Sequence, residues 1–290
     1  MIRPVDFLLD FLNAEQARGT THVHLDEGAR DALRELFLRA KGQTSHAPAP
    51  TPGGKAQPAI DLTPEDPAPK PAPAVATLTI TGTTRSEQLE SLHRQAANWP
   101  PAKSLGSLRE IMVFASGSPD AKIMLVTDAP GYHEERALTP FAGPTGEKLD
   151  AILVAMGLSR ERVYISHLVK FRPVTPKQAT NNRQLTPEEF AAFLPILREE
   201  VNIIRPSCII ALGESTAQGL LSAASSEPLQ GTWQNFHGTP VRVSLNPSCL
   251  LRSTPDLSVR RQLWEDMLAV MEKLDMPISP KQRGFFLPKP

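Results

Sequence analysis

Side chains able to do chemistry gather in four short stretches of this sequence. The first runs Thr127-Asp128-Ala129-Pro130-Gly131 and resumes at Thr139-Pro140-Phe141-Ala142-Gly143-Pro144. The second is Ser166-His167-Leu168-Val169-Lys170-Phe171-Arg172-Pro173. The third, Leu212-Gly213-Glu214-Ser215, is followed by Asn246-Pro247-Ser248-Cys249-Leu250-Leu251-Arg252. Together they offer a carboxylate, an aromatic ring, a histidine, an amide and several cations. A carboxylate can hold a water and balance a developing positive charge. A ring set in a Pro-Phe-Ala-Gly loop can stack on a flat ligand. Backbone N–H, hydroxyl and guanidinium groups grip phosphates. Each residue also has a structural alternative. Asp128 can cap its own turn, Phe141 can be core, and the cations can be solvated surface. His93, His133 and His237 have no mutual spacing that suggests a metal site.

Each stretch follows a short apolar run rich in β-branched residues, at 122–127, 162–168, 207–212 and 241–245. Continuous runs of this kind suit strands buried on both faces. Helical periodicity lies between them, at 146–156, 186–204 and 215–224, and again at 257–273 after the last strand. The alternation predicts right-handed crossovers and an α/β fold, a three-layer α/β/α arrangement around a four-stranded parallel sheet. Ligands of such sheets bind beyond the carboxyl ends of the strands. The four chemical stretches are therefore expected on one rim.

The totals exclude several classes. Among 290 residues, Lys+Arg and Asp+Glu are both 31, so no overall basic field exists to coat nucleic acid by charge alone. A local basic surface stays open. Two cysteines, Cys208 and Cys249, are too few for a disulfide framework or for a cubane cluster, which takes about four thiolates. No apolar run reaches membrane-spanning length, and the N-terminus lacks a signal-peptide pattern. A soluble cytoplasmic protein is expected. Residues 1–42 read as an N-terminal helical hairpin. Residues 43–84 read as a Pro/Ala-rich linker, disordered and polyproline-leaning. A domain over 85–276 and a tail over 277–290 complete the expected organisation.

The four stretches resemble the motifs of the uracil-DNA glycosylase superfamily, most closely its family-4, iron–sulfur branch. The family's Gly-Glu-Ala-Pro-Gly and Pro-Phe-Val-Gly stand here as Thr127-Asp128-Ala129-Pro130-Gly131 and Pro140-Phe141-Ala142-Gly143. Its Lys-Cys-Arg-Pro is Lys170-Phe171-Arg172-Pro173, and its Asn-Arg-x-Pro-Thr is echoed in Asn182-Arg183-Gln184-Leu185-Thr186. Its His-Pro-Ala-Tyr-Leu-Leu-Arg is Asn246-Pro247-Ser248-Cys249-Leu250-Leu251-Arg252. The resemblance runs from about Leu105 to Leu274.

What the resemblance implies is a monomeric enzyme that flips a damaged nucleotide from DNA and hydrolyses its N-glycosidic bond in base excision repair. Asp128 and Asn246 would be catalytic. Ala129, Phe141 and His167 would bind the base. Lys170, Arg172, Arg183, Pro247, Ser248 and Arg252 would grip the DNA. Three positions depart from the family: Asp128 replaces Glu, His167 replaces the base-reading Asn, and Asn246 replaces His. A neutral imidazole cannot read a uracil edge as an amide does, because its donor and acceptor lie on opposite sides of the ring. Asn-Pro-Ser in the last motif is closer to the mismatch-specific branch. The family's four cluster cysteines align with Pro100, Lys103, Phe171 and Phe193, so no cluster and no metal is expected. A non-catalytic or altered-specificity DNA-binding homologue is the alternative. A small-molecule hydrolase or flavodoxin-like nucleotide binder is a third reading, opposed by the lack of a Gly-rich loop after strand one. In the tail, Gln282, Phe285 and Phe286 faintly resemble the pentapeptide by which repair enzymes dock on the sliding clamp. The alternative is a tail folded back on its own domain.

Overall fold

The computed structural model describes residues 77–175, 183–221, 228–251 and 256–287. The chain divides into two units, Met1–Ala68 and Pro69–Pro290, and every described residue lies in the second. The expected N-terminal hairpin, most of the linker, and Arg252 lie outside the described residues. Packing begins before residue 85, because Leu78 and Ile80 lie against a buried cluster and Thr79 hydrogen bonds Gln95.

The sheet is built around four parallel strands, β3 (Ile123–Thr127), β4 (Tyr164–His167), β6 (Cys208–Leu212) and β8 (Thr239–Ser244). Their order is β4-β3-β6-β8. Every residue of β3 and β6 is buried, as continuous apolar runs require. Alternate residues feed two cores. Ile123, Leu125 and Ile210 meet helices α4 (Pro144–Ala155) and α7 (Leu257–Lys273) on one face. Met124, Val126 and Ile209 meet α5 (Pro187–Ile204) and α6 (Glu214–Leu221) on the other. The three layers follow directly from this two-sided burial.

The sheet is larger than expected. Antiparallel β2 (Ala115–Gly117) borders β4, and antiparallel β7 (Trp233–Phe236) borders β8, making six strands. Both border strands are short and partly polar, so hydropathy does not mark them. β7 turns into β8 through His237 and Gly238, which both have positive φ, at 49° and 91°. Two such residues make the tight hairpin turn whose twist matches the strands. A separate two-stranded sheet pairs β1 (Leu108–Met112) with β5 (Phe171–Pro173). Helices α1 (Arg85–Ala97) and α2 (Pro100–Lys103) pack near it with α5. Thr84 and Glu87 close a capping box on α1, and Thr186 and Glu189 close another on α5.

The tail is docked. Helix α8 (Pro280–Arg283) follows a Ser279 cap. Gln282 donates to the Ala155 carbonyl at 2.8 Å, and Trp264 donates to the Gln282 carbonyl at 2.7 Å. Phe285 lies 5.3 Å from the Trp264 ring. Two of the three residues expected to reach a sliding clamp are thus engaged on this domain, and the tail forms a latch. Among the described residues, no helix is long and apolar enough to cross a membrane.

Candidate functional site

The parallel strands deliver Thr127, His167, Leu212 and Ser244 to one rim. A cavity of about 310 Å³ opens there, lined by Thr127, Asp128, Ala129, Glu134, Phe141, Asn246 and Ser248 among others. Asp128, Ala129, Phe141, Asn246 and Ser248 are therefore brought together. His167, Lys170, Arg172 and Arg183 do not line it.

A hydrogen-bonded chain ties the first motif to the last. Asn246 Nδ2 donates to Thr127 Oγ1 at 3.1 Å, and Thr127 Oγ1 donates to Asp128 Oδ1 at 3.2 Å. Asp128 Oδ1 also accepts the Ala129 N–H at 2.9 Å. Both bonds fall on one carboxylate oxygen, so Asp128 caps its turn with Oδ1 while Oδ2 has no partner among the described residues. Asn246 Oδ1 accepts the Ser248 N–H at 2.9 Å, which fixes the amide's orientation. The second Nδ2 bond, to the Leu212 carbonyl, is long at 3.4 Å. Thr127 escapes sequence reading because it looks like the last residue of a strand.

Phe141 sits in the left-handed region, with φ 52°, and is 2% exposed. Such a conformation is strained for a bulky residue and persists only when its neighbours hold it. Two side chains do so. Glu134, from helix α3 (Tyr132–Ala137), accepts the Phe141 N–H at 2.8 Å. Arg160 donates to the Pro140 and Phe141 carbonyls and pairs with Asp150. Gly146 completes the cradle, since a Cβ there would lie 1.7 Å from the Phe141 carbonyl oxygen.

Glu134 also accepts the Gly131 N–H at 2.6 Å and faces His167 Nε2 at 3.4 Å. Burial pushes its carboxyl upward, but the His167 ring and the two backbone N–H groups outweigh it and hold the carboxyl below its ordinary value. The pocket wall thus carries an ionised carboxylate. His167 is fully buried behind Glu134, and its Nδ1 has no partner among the described residues. The expected base reader is therefore displaced from the wall, and an acidic side chain takes its place. Gly131-Tyr132-His133-Glu134 has the spacing of a helix cap with its N3 glutamate, a signal that could have located Glu134.

Three expected DNA-binding cations are corrected. Lys170 is fully buried and bonds Glu200 at 2.5 Å, Ser166 at 2.5 Å and the His167 carbonyl at 2.8 Å. Burial pulls its ammonium below the ordinary value against the pull of Glu200. Arg172 is 1% exposed and bonds Glu135 at 3.3 Å. Arg183 binds both oxygens of Glu189 and the carbonyls of Val174, Gln184 and Ser107, strapping α5 to β1 and β5. Burying Lys170 or Arg172 without such partners would be prohibitively costly, and the half-buried Arg183 is committed to Glu189, so these cations belong to the scaffold. Pro247 is buried in a 3-10 turn (Pro247–Leu251), and Ser248 is exposed beside it.

The four positions of the family cluster do not fit one. Phe171 and Phe193 are buried with ring centroids 5.9 Å apart, beside Trp99 and Ala102. Pro100 and Lys103 begin and end α2. None supplies a thiolate. Cys208 is buried inside β6, where burial pushes its thiol up to about 12, and Cys249 lies in the 3-10 turn.

Comparison with known proteins agrees with this geometry. The model of the uracil DNA glycosylase superfamily matches residues 114–268, more than half of the chain. A Type-4 uracil-DNA glycosylase from Thermotoga maritima is 34% identical over 164 residues, which cover 55% of this chain and 81% of that protein. One from Saccharolobus solfataricus is 33% identical over 181 residues, 59% of this chain and 79% of that protein. One from Pyrobaculum aerophilum is 36% identical over 133 residues, 46% of this chain and 64% of that protein. A parallel sheet with a rim cavity lined from its first and last motifs, and these matches across it, lead to one assignment: the chain belongs to the uracil DNA glycosylase superfamily.

Proposed function

We propose that this chain is a DNA glycosylase that flips out uracil or a related deaminated base and hydrolyses its N-glycosidic bond, opening base excision repair. The observation that carries the reading is the Asn246–Thr127–Asp128 chain at the strand ends, which leaves one carboxylate oxygen uncommitted at the cavity. That oxygen accepts a proton from the attacking water and balances the oxocarbenium-like charge on the sugar. The Asn246 proton in the longer bond is the one offered to the carbonyl oxygen of the departing base. Phe141 forms the wall against which the base stacks, beside Ala129. Ser248, the Pro247 turn and Arg252 hold the phosphates.

Glu134 supplies the base selection that His167 cannot. A carboxylate has about four acceptor sites. The Phe141 N–H and His167 use Oε1, and the Gly131 N–H uses Oε2. The remaining site on Oε2 demands an N–H from the base. Deamination creates one: uracil N3 and hypoxanthine N1 carry a proton where cytosine and adenine carry a lone pair. Aromatic packing at Phe171 and Phe193 takes the place of the iron–sulfur cluster in this reading, so purified protein should be colourless and free of stoichiometric iron.

Release of free base from single-stranded oligonucleotides carrying uracil, hypoxanthine or xanthine tests the proposal. The parent should leave an alkali-labile site. Asp128→Asn should bind the strand and lose roughly 10²–10⁴ in single-turnover rate. Binding by the parent without release of any base would leave the non-catalytic homologue as the correct reading.

A further inference from the structure

A second cavity, of about 460 Å³, adjoins the first, and Tyr132 lines both. Its walls combine guanidinium groups with exposed apolar surface. Arg109, Arg136 and Arg172 line it together with one carboxylate, Glu135. Arg109 and Arg172 both pair with Glu135. Arg136 is exposed, donates to the Tyr132 hydroxyl at 2.7 Å, and makes no ion pair among the described residues. The Tyr132 ring carries the guanidinium carbons of Arg136 and Arg172 at 5.6 and 5.7 Å from its centroid. The ring is thereby held rigid between the two cavities.

The apolar part of the wall faces solvent. Leu138 is 63% exposed and Ile111 is 44% exposed, and both line this cavity. Leu138 ends helix α3 in the left-handed conformation usual at a helix C-terminus, with φ 54°, and this points its side chain away from the domain's core. Apolar side chains ringed by guanidinium groups match one ligand chemistry well: a nucleotide, with a flat apolar base and an anionic phosphate.

We propose that this cavity is a subsite for the nucleotide next to the one being excised, on the same DNA strand. Leu138 and Ile111 meet the face of its base, and Arg136 and Arg109 hold its phosphate. The inference rests on the glycosylase reading, because continuity through Tyr132 links the subsite to a flipped nucleotide in the first cavity. It gives the chain a local cationic grip that does not use Lys170, Arg172 or Arg183 as free charges. The subsite recognises a splayed single strand, since a base stacked within a duplex has no face to offer.

Fluorescence anisotropy with single-stranded oligonucleotides tests it. The strands carry a central abasic analogue, with neighbours on both sides or trimmed on one side. Binding to these strands does not depend on bond cleavage, so the subsite is measured separately from catalysis. The parent should prefer a flanked strand over one trimmed on the subsite's side. Arg136→Ala should weaken flanked-strand binding by about 5- to 50-fold, erase the preference, and lower the salt dependence by about one phosphate contact. Leu138→Gly should weaken binding without lowering the melting temperature, because glycine adopts the left-handed conformation freely. A leucine with only a structural role would show the reverse, a lower melting temperature with binding unchanged. If the parent releases base and both variants match it in flank preference, the subsite is wrong and the glycosylase reading stands. If the parent neither binds nor cleaves any strand, both fall.

Discussion

Replacing Glu134 by glutamine separates the two jobs assigned to this carboxylate, holding the Phe141 loop and reading the base. The side chain accepts from the Gly131 N–H at 2.6 Å, the Phe141 N–H at 2.8 Å and His167 at 3.4 Å. Glutamine keeps the shape and offers one acceptor instead of two. If its oxygen serves Phe141, its NH₂ meets the Gly131 N–H, and a donor faces a donor. A hydrogen bond to a charged group contributes about 1.5–3 kcal/mol, and the retained bond falls to the neutral value of about 1 kcal/mol. The combined loss is about 2–4 kcal/mol. For a domain of this size that lowers the melting temperature by roughly 5–15 °C. The cost should depend on pH. The folded carboxyl ionises below its ordinary value, so its contribution is complete above the unfolded pKa and fades as pH falls through the folded pKa. Parent and Glu134→Gln should therefore differ fully above roughly pH 5 and converge in more acidic buffer. Calorimetric melting at a series of pH values measures both. Equal melting temperatures at neutral pH, or a gap that does not close in acid, would refute the argument that Glu134 is an ionised strut.

Thr127→Val removes the hydroxyl linking Asn246 to Asp128 at almost constant volume, and single-turnover base release should fall about 10- to 100-fold with a stability loss near 1 kcal/mol; an unchanged rate would show that the link does no positioning. His167→Asn should leave the ranking of released bases unchanged, since Glu134 stands in front of residue 167, and a selective gain for uracil would put that residue in the pocket after all. Gly146→Ala should displace the Phe141 carbonyl and cut release at least tenfold, measured beside its melting curve, because the new methyl group would start 1.7 Å from that oxygen. Phe285→Ala should cost about 1–3 kcal/mol by opening the tail latch on Trp264, and sliding-clamp retention in a pull-down should be the same for parent and variant.

The parallel framework was legible because β3 and β6 are buried along their whole length, and burial on both faces leaves an unbroken apolar run. The border strands were not, because β2 is Ala-Ser-Gly and β7 is four residues long with Phe236 alone buried. Asp128 and Asn246 could be found by reading past the strand ends. Lys170 and Arg172 were misjudged for a general reason. Charged side chains are mostly exposed, and only a partner makes burial tolerable. Their partners, Glu200 and Glu135, lie 30 and 37 residues away along the chain. No local pattern reports such pairing. His167 went astray in the same way, since its environment is set by Glu134, 33 residues upstream.

The order of strands also governs when the site comes into being. β3 pairs with β6, joining Leu125 to Ile210 at a sequence separation of 85 (210 − 125). The bond between Thr127 and Asn246 spans 119. Closing loops of that length delays the reward until most of the chain has been synthesised, which slows folding relative to local pairing. A ribosome that has released β3 and β4 holds half a sheet with its central edge uncovered. Only when β6 and then β8 arrive does the last motif meet the first. Base release is therefore a readout of finished assembly, and a nascent chain stopped before β8 would carry Asp128 with nothing opposite it.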